Sequence, residues 1–253
     1  KHFLCDPKIC ETSDMTTHII TAGGGGFSMS PTGSPTALDR YIVGLSSVEA
    51  PLVCFIPTAS ADDATYINKF LVSYGVLGVR TMVLTLWTGA AHAIERLPEA
   101  DIVFVGGGSS TVNMMALWKA HGVDAVLKQM ASNGKDTIFA GISAGACCWF
   151  EGCLTDSFGP MRPWRGGLGL LEGSFCPHFQ GEEGRAGAYT DAIASGILPD
   201  GYAIDDGAAI HWVDGKLHKV ISEREDARVL HFMNSLQPGT SGVTTQQLDA
   251  ELI

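Results

Sequence analysis

Residues 137–150 read TIFAGISAGACCWF, an apolar run that ends at a serine flanked by glycines. Gly141, Ser143 and Gly145 form the pattern G-x-S-x-G, which is typical of a strand that turns sharply into a helix with a serine at the apex. Glycines suit such a turn because side chains would collide there. Backbone N–H groups at the start of the following helix can face a developing oxyanion. The stretch therefore predicts that Ser143 is a nucleophile.

Short apolar runs around this stretch alternate with helical segments. The predicted strands span residues 18–21, 52–56, 81–84, 101–105, 137–142 and 202–204, and the predicted helices span residues 62–74, 111–120 and 123–133. Buried strands that alternate with helices indicate an α/β fold in which a mostly parallel sheet is covered on both faces.

The pattern changes in the last quarter of the chain. Residues 208–221, AAIHWVDGKLHKVI, place Asp214 and Gly215 between two strand-like segments, which predicts a C-terminal β-hairpin. The polar residues 237–253 predict a short helix or an irregular end. Because neither a repeat nor a linker is evident, we expect one domain over residues 15–253. Residues 1–14 are interpreted as an extension or a cloning remnant.

Composition is that of a globular enzyme, with 45% apolar residues, 17% charged residues and 31 glycines. The 16 basic and 27 acidic residues give a net charge of −11, which disfavours nucleic acid as a partner. The chain has no run of 18 apolar residues, so a membrane partner is not expected. Seven scattered cysteines predict reduced thiols in the cytoplasm, although Cys5 and Cys10 could pair in an oxidising compartment. Metal-binding motifs are absent, so we expect neither a metal nor another cofactor.

A serine nucleophile needs a base, and His178 is the best candidate among eight histidines. It follows Pro177, which disfavours a helix and presents the imidazole from a turn. The base in turn needs an acid that fixes its tautomer. Asp205 and Asp206 follow a predicted strand, and Asp156 lies between the serine and the histidine. These residues alone leave the choice of acid open.

Two glycine-rich segments follow predicted strands. FVGGGSST, residues 104–111, opens a predicted helix, so its N–H groups can bind an anion and supply a second oxyanion donor. TAGGGGFS, residues 21–28, lacks the lysine of a phosphate-binding loop and is interpreted as a tight turn without a chemical role.

Together, the motifs FVGGGSST, GISAGA, GLGLLEGSFCPHF and GYAIDDGAAI resemble the peptidase E/cyanophycinase family of serine peptidases, over residues 52–220. The resemblance implies a flavodoxin-like, three-layer α/β/α sandwich related to class I glutamine amidotransferases. It further implies Ser143 as the nucleophile, His178 as the base and Asp206 as the acid, although other assignments within the family would place the acid near Asp156. The implied oxyanion hole comprises Gly107, Gly108 and the N–H of Ala144.

The substrate-binding residues depart from the family pattern. Ser109 stands where relatives usually have asparagine, and the segment after His178 lacks the several arginines of cyanophycinase-like chains. Arg185 would suit the side chain of an N-terminal aspartate through a bidentate pair. Glu182 and Glu183 are interpreted either as ligands of the substrate's α-amino group or as solvated charges.

The leading hypothesis is a serine peptidase that cleaves dipeptides or small peptides through an acyl-enzyme intermediate. An esterase with the same triad is the second hypothesis, and a non-catalytic binding protein on this scaffold is the third. The expected partner is a small peptide substrate, and the sequence leaves the oligomeric state, including a homodimer, open.

Overall fold

The computed structural model describes residues 16–87, 90–133, 135–237 and 240–253. The predicted extension, residues 1–14, lies outside the described residues, as do Cys5 and Cys10.

Strands and helices alternate through the first half of the chain, and strands dominate the second half. The strands are β1 (His18–Ala22), β2 (Leu52–Ile56), β3 (Arg80–Val83), β4 (Ile102–Val105), β5 (Ile138–Ile142), β6 (Phe150–Thr155), β7 (Arg162–Arg165), β8 (Leu171–Cys176), β9 (Gly201–Ile204), β10 (Ala208–Val213), β11 (Lys216–Ser222), β12 (Val229–Gln237), β13 (Thr240–Leu248) and β14 (Glu251–Leu252). The α-helices are α1 (Gly26–Met29), α2 (Ala37–Gly44), α3 (Ala64–Gly75), α4 (Ala90–Arg96), α5 (Thr111–His121), α6 (Val123–Ser132), α7 (Ala144–Cys147) and α8 (Arg185–Ala194).

The central sheet has eight strands in the order β14-β11-β10-β1-β5-β4-β2-β3. Strands β1 to β5 are parallel to their neighbours, and β10 joins the edge of β1 in the antiparallel direction. One face packs on α1, α2 and α3 through residues such as Phe27, Ile42 and Phe70. The other packs on α5 and α6 through Trp118 and Leu127. This arrangement confirms the mostly parallel, three-layer α/β/α fold.

The predicted hairpin forms β10 and β11, which pair in the antiparallel direction on either side of Asp214 and Gly215. Both turn residues have a positive φ, +51° and +73°, as the tight turn requires.

A second sheet was not anticipated. It has six strands in the order β13-β12-β9-β8-β6-β7, and it takes up much of the chain after Ser143. The expectation of a helical or irregular end was wrong, because β13 pairs with β12 over nine residue pairs. Thr244, Thr245, Gln246 and Gln247 are exposed on this edge strand. A polar strand is stable there because its backbone hydrogen bonds come from β12 and its side chains stay in water.

Buried residues of both sheets meet in one apolar cluster, in which Ile19 and Cys54 of the first sheet pack with Phe150 and Phe175 of the second. Within the described ranges, none of the helices is long and apolar enough to cross a membrane.

Candidate active site

Ser143 lies between β5 and α7 at a sharp turn. Its φ of +54° is unusual for a residue with a side chain, and such backbone strain is found where a nucleophile is held at the apex of an elbow. A Cβ on Gly145 would overlap the Val105 carbonyl, so the glycine lets α7 start directly against β4. The G-x-S-x-G segment thus forms the strand–turn–helix that its sequence indicates.

His178 follows β8 in a second strained turn, with a φ of +49°. The turn is tied to β9 by a hydrogen bond from the Phe179 N–H to the Ile204 carbonyl, at 3.1 Å. This position brings the Nε2 atom of His178 within 2.8 Å of Ser143 Oγ.

Asp206 lies at the end of β9, and its Oδ1 atom is 2.6 Å from His178 Nδ1. The hydrogen bond to His178 is the main cause that lowers the pKa of this carboxyl group, so it is ionised at neutral pH. An ionised carboxylate only accepts hydrogen bonds, so His178 Nδ1 carries the proton and donates it. The Nε2 atom is then free to accept the Ser143 hydroxyl proton.

The other two candidate acids have different surroundings. Asp205 is buried, and its Oδ2 atom accepts hydrogen bonds from the backbone N–H of Arg228 at 3.0 Å and from the Arg228 Nε at 2.9 Å. Neighbouring side chains of an extended segment point to opposite sides, which explains why Asp205 and Asp206 face different partners. Asp156 lines a cavity beside Ser143 instead of contacting His178.

The glycine-rich segment after β1, to which the sequence analysis gave no chemical role, packs against the histidine and the acid. Gly24 pairs with Asp206 as an isolated parallel bridge, and its carbonyl accepts the Gly207 N–H at 2.9 Å. A Cβ on Gly24 would overlap the Asp206 carboxylate and come within 2.9 Å of His178 Cε1. The useful signal in the sequence was a run of glycines at the carboxyl end of a central parallel strand.

Tyr66 was also missed by the sequence analysis. The Gly107 N–H, one of the expected oxyanion donors, points to the Tyr66 hydroxyl at 3.3 Å. The ring lies between Phe27 and Phe55, with centroid distances of 5.5 and 5.2 Å. Burial raises the pKa of Tyr66 to about 12, so the phenol is neutral. Tyr66 lies far from the glycine loop in sequence, and no motif linked the two.

Two cavities flank Ser143. The first, called the closed pocket, has a volume of about 100 Å³. It is lined by Gly108, Ser109, Thr111, Ser143, Ala144, Cys147, Leu154, Thr155, Asp156, Pro177, His178, Glu182 and Arg185. The second, called the open groove, has a volume of about 600 Å³. It is lined by Gly24, Ser28, Met29, Ser60, Asp63, Tyr66, Gly107, Gly108, Ser109, Ile142, Ser143 and His178.

Charged side chains distinguish the closed pocket. Arg185 is only 2% exposed, and its Nη2 atom pairs with Glu182. Asp156 adds a second carboxylate to the lining. Glu183, the other candidate substrate ligand, is exposed and does not line either cavity. The closed pocket therefore presents two carboxylates and one guanidinium to whatever enters it.

Among the described residues, no group of three or more histidine, cysteine, aspartate and glutamate side chains is placed to hold a metal ion.

Comparison with known proteins assigns the family. The sequence matches the family described as Peptidase family S51 over residues 19–220. It is 43% identical over 216 residues to a protein named "Uncharacterized peptidase YgaJ" from Bacillus subtilis (strain 168), covering 85% of this chain and 91% of that protein.

Solved structures have the same fold. A peptidase from an acI-B1 Actinobacterium aligns with a TM-score of 0.64 at 16% identity, over 93% of this chain and 94% of that one. A putative peptidase E protein from Listeria monocytogenes EGD-e aligns with a TM-score of 0.58 at 20% identity, over 83% and 98% of the two chains. The profile match and the Bacillus relative carry the conclusion that the chain belongs to peptidase family S51 and is a serine peptidase.

Proposed function

We propose that the protein hydrolyses dipeptides and other short peptides through a triad of Ser143, His178 and Asp206. The observation that carries the proposal is the continuous row of hydrogen bonds, 2.8 Å from Ser143 Oγ to His178 Nε2 and 2.6 Å from His178 Nδ1 to Asp206 Oδ1. These distances are within the range that proton transfer to a catalytic base requires.

In this mechanism His178 takes the Ser143 proton while Oγ attacks the scissile carbonyl carbon. Asp206 stabilises the imidazolium that forms, and the imidazolium then protonates the leaving amine. Water then attacks the acyl-enzyme carbonyl while His178 takes its proton, and the imidazolium returns that proton to Ser143 Oγ as the carboxylic acid product leaves.

The oxyanion would be bound by backbone N–H groups of Ala144 and Gly108, which both line the closed pocket beside Ser143. Gly107 has a supporting role, since its N–H is held by the Tyr66 hydroxyl. Tyr66 thereby fixes the glycine loop that carries Gly108.

The closed pocket would hold the N-terminal residue of the substrate. Glu182 and Asp156 suit a protonated α-amino group by their charge, and the small volume admits one short side chain. Glu182 contacts only Nη2 of Arg185, and a guanidinium has five N–H donors. An aspartate side chain could therefore pair with Arg185 as well, which supports a preference for N-terminal aspartate.

The test is a panel of Asp-Leu, Asn-Leu, Ala-Leu and Lys-Leu, with p-nitrophenyl acetate as the ester probe. We expect cleavage of at least one dipeptide, highest kcat/KM for Asp-Leu, and loss of activity in Ser143→Ala. Ester turnover without any peptide cleavage would favour the esterase hypothesis. Dipeptide cleavage that survives Ser143→Ala undiminished would rule out the triad.

A double variant tests the specificity. The variant carries Arg185→Met and Glu182→Gln. It removes both charges of the ion pair together, so neither charge is left in the pocket without its partner. We expect the preference for Asp-Leu over Asn-Leu to disappear. Glu183 lies outside both cavities and provides the control. Glu183→Gln should keep the preference for Asp-Leu over Asn-Leu. A preference that persists in the double variant would assign the specificity to other residues.

We also place the enzyme in the cytoplasm, where reduced thiols persist. The five cysteines of the described residues are free and buried, which supports this location.

A further inference from the structure

The two cavities beside Ser143 differ in what they can accommodate. The closed pocket is lined by both members of the Glu182–Arg185 ion pair, and its small volume has room for about one residue of a substrate. The open groove is about six times larger and opens to solvent along Met29, whose side chain is 52% exposed. If the acyl residue fills the closed pocket, the rest of the substrate leaves through the groove.

The charge of the open groove is unusual for a site that would bind the C-terminal carboxylate of a dipeptide. Asp63 is the one aspartate, glutamate, lysine or arginine among its described lining residues. Asp63 is exposed, and its carboxylate accepts the Tyr66 N–H at 2.7 Å as the N-cap of α3. The ammonium of Lys69 donates to the Ser28 carbonyl at 2.7 Å and does not belong to the lining.

A dipeptide would put a free carboxylate in this groove. Its C-terminal carboxylate follows the scissile nitrogen directly, in the same residue, so it would enter a groove whose described lining contains Asp63 and neither lysine nor arginine. A third residue in the substrate moves the C-terminal carboxylate outward by about 3.5 Å. A C-terminal amide removes the negative charge. A carboxylate that shares a groove with a like charge and has no cationic ligand binds less well than an uncharged end.

We propose that the open groove binds the leaving part of peptides that continue beyond the residue after the scissile bond. The preferred substrates are thus tripeptides and longer peptides or C-terminal amides, and dipeptides are the poorer class. The exposed Met29 side chain and the Tyr66 ring offer an apolar surface to the first residue of the leaving part. This inference rests on the proposed peptidase activity and makes it more specific.

The experiment compares three substrates that share the same scissile bond, Asp-Leu, Asp-Leu-NH2 and Asp-Leu-Ala. We expect kcat/KM for the amide and the tripeptide to exceed that of the dipeptide by about tenfold, with most of the difference in KM. Asp63→Asn keeps the N-cap, since asparagine caps helices as well as aspartate. Asp63→Asn should reduce the ratio of kcat/KM for Asp-Leu-NH2 to kcat/KM for Asp-Leu.

Equal turnover of the three substrates, or a preference for the dipeptide, would overturn the inference and leave the peptidase proposal intact. A selective loss of dipeptide cleavage in Lys69→Met would also overturn it, because Lys69 would then be a carboxylate ligand. Failure to cleave any of the three would contradict the proposed activity itself, and this inference with it.

Discussion

Asp206 Oδ1 lies 2.6 Å from His178 Nδ1, and the same carboxylate packs against the backbone of Gly24. The acid is therefore held from two sides, by the imidazole that it orients and by a glycine of the central sheet. An acid fixed in this way keeps the imidazole in the tautomer that can accept the serine proton.

Asp206→Asn is the first prediction. An asparagine can present its NH2 group to Nδ1 and stabilise the wrong tautomer, so kcat should fall by about 10²- to 10⁴-fold. Because the pKa of Asp206 is lowered, the carboxylate stays ionised while pH falls through the range in which histidine titrates. Protonation of the Asp206 carboxyl group should consequently add no acid limb to the pH dependence of wild-type activity near neutral pH.

Asp156→Asn is the matched control for the choice of acid. Asp156 lines the closed pocket and does not contact His178, so its substitution should change KM and leave kcat nearly unchanged. A loss of kcat in Asp156→Asn as large as in Asp206→Asn would contradict the assignment of Asp206.

Tyr66→Phe is the second prediction. The substitution keeps the ring between Phe27 and Phe55 but leaves the Gly107 N–H without its hydroxyl acceptor. The glycine loop becomes less ordered, so kcat should fall about tenfold while KM and the melting temperature change little. The rate of inactivation by a fluorophosphonate should fall in parallel, since its adduct also places an oxygen in the oxyanion hole.

Tyr41→Phe provides the comparison, because Tyr41 also donates or accepts one side-chain hydrogen bond, to His211, away from the site. A purely structural role of Tyr66 would give both variants the same small change in stability and an unchanged kcat.

The sequence predicted the parallel sheet well, since its strands are continuous apolar runs and its helices follow between them. It also indicated Ser143, because a nucleophile elbow has a local pattern. The second sheet escaped detection for a physical reason. Strands such as β13 are stabilised by pairing with β12 and carry polar side chains toward water, so their composition is that of a loop.

Contacts between distant segments could not be predicted in the same way. Gly24 precedes Asp206 by 182 positions, and their contact exists because the segment after β1 of the first sheet lies beside the segment after β9 of the second. Tyr66 reaches Gly107 from α3 for a similar reason. A single sequence contains no periodic signal for such pairs. The choice between Asp205 and Asp206 follows once it is known which side of the extended segment faces His178.

Gly24→Ala is the third prediction. The added Cβ would overlap the Asp206 carboxylate and approach His178 Cε1 to 2.9 Å, so the acid and the base must move apart. We expect at least a hundredfold loss of kcat, because a displacement near 1 Å at reacting groups has effects of that size.

Gly187→Ala is its control, since a Cβ at this position in α8 meets nothing within 4 Å. It should stabilise the protein by about 0.5–1 kcal/mol through helix propensity and leave activity unchanged. Full activity in Gly24→Ala, with the fold intact by circular dichroism, would contradict the role of Gly24.

A cluster of histidines on the far part of the sheet gives the fourth prediction. His211 is buried, and hydrogen bonds of 2.8 Å join its ring to His18 and to Tyr41. Burial, reinforced by the charges of His18, His218 and Lys219, lowers the pKa of His211 to about 4. The unfolded chain would titrate near 6.5.

Between these two values the unfolded state binds a proton at His211 that the folded state does not, so the contribution of His211 to the free energy of unfolding must decrease as pH falls from about 6.5 to 4. The loss should be on the order of 2 kcal/mol, measured by urea denaturation at pH 7 and pH 5. His211→Gln, which cannot be protonated, should be less stable at pH 7 but lose less stability on acidification. The slope that remains would combine the contributions of His18 and His231, whose pKa values burial also lowers, with the opposite contribution of Asp39, whose pKa burial raises to about 6. Identical slopes in the wild type and the variant would show that His211 has the same pKa in the folded and unfolded states, which would contradict this prediction.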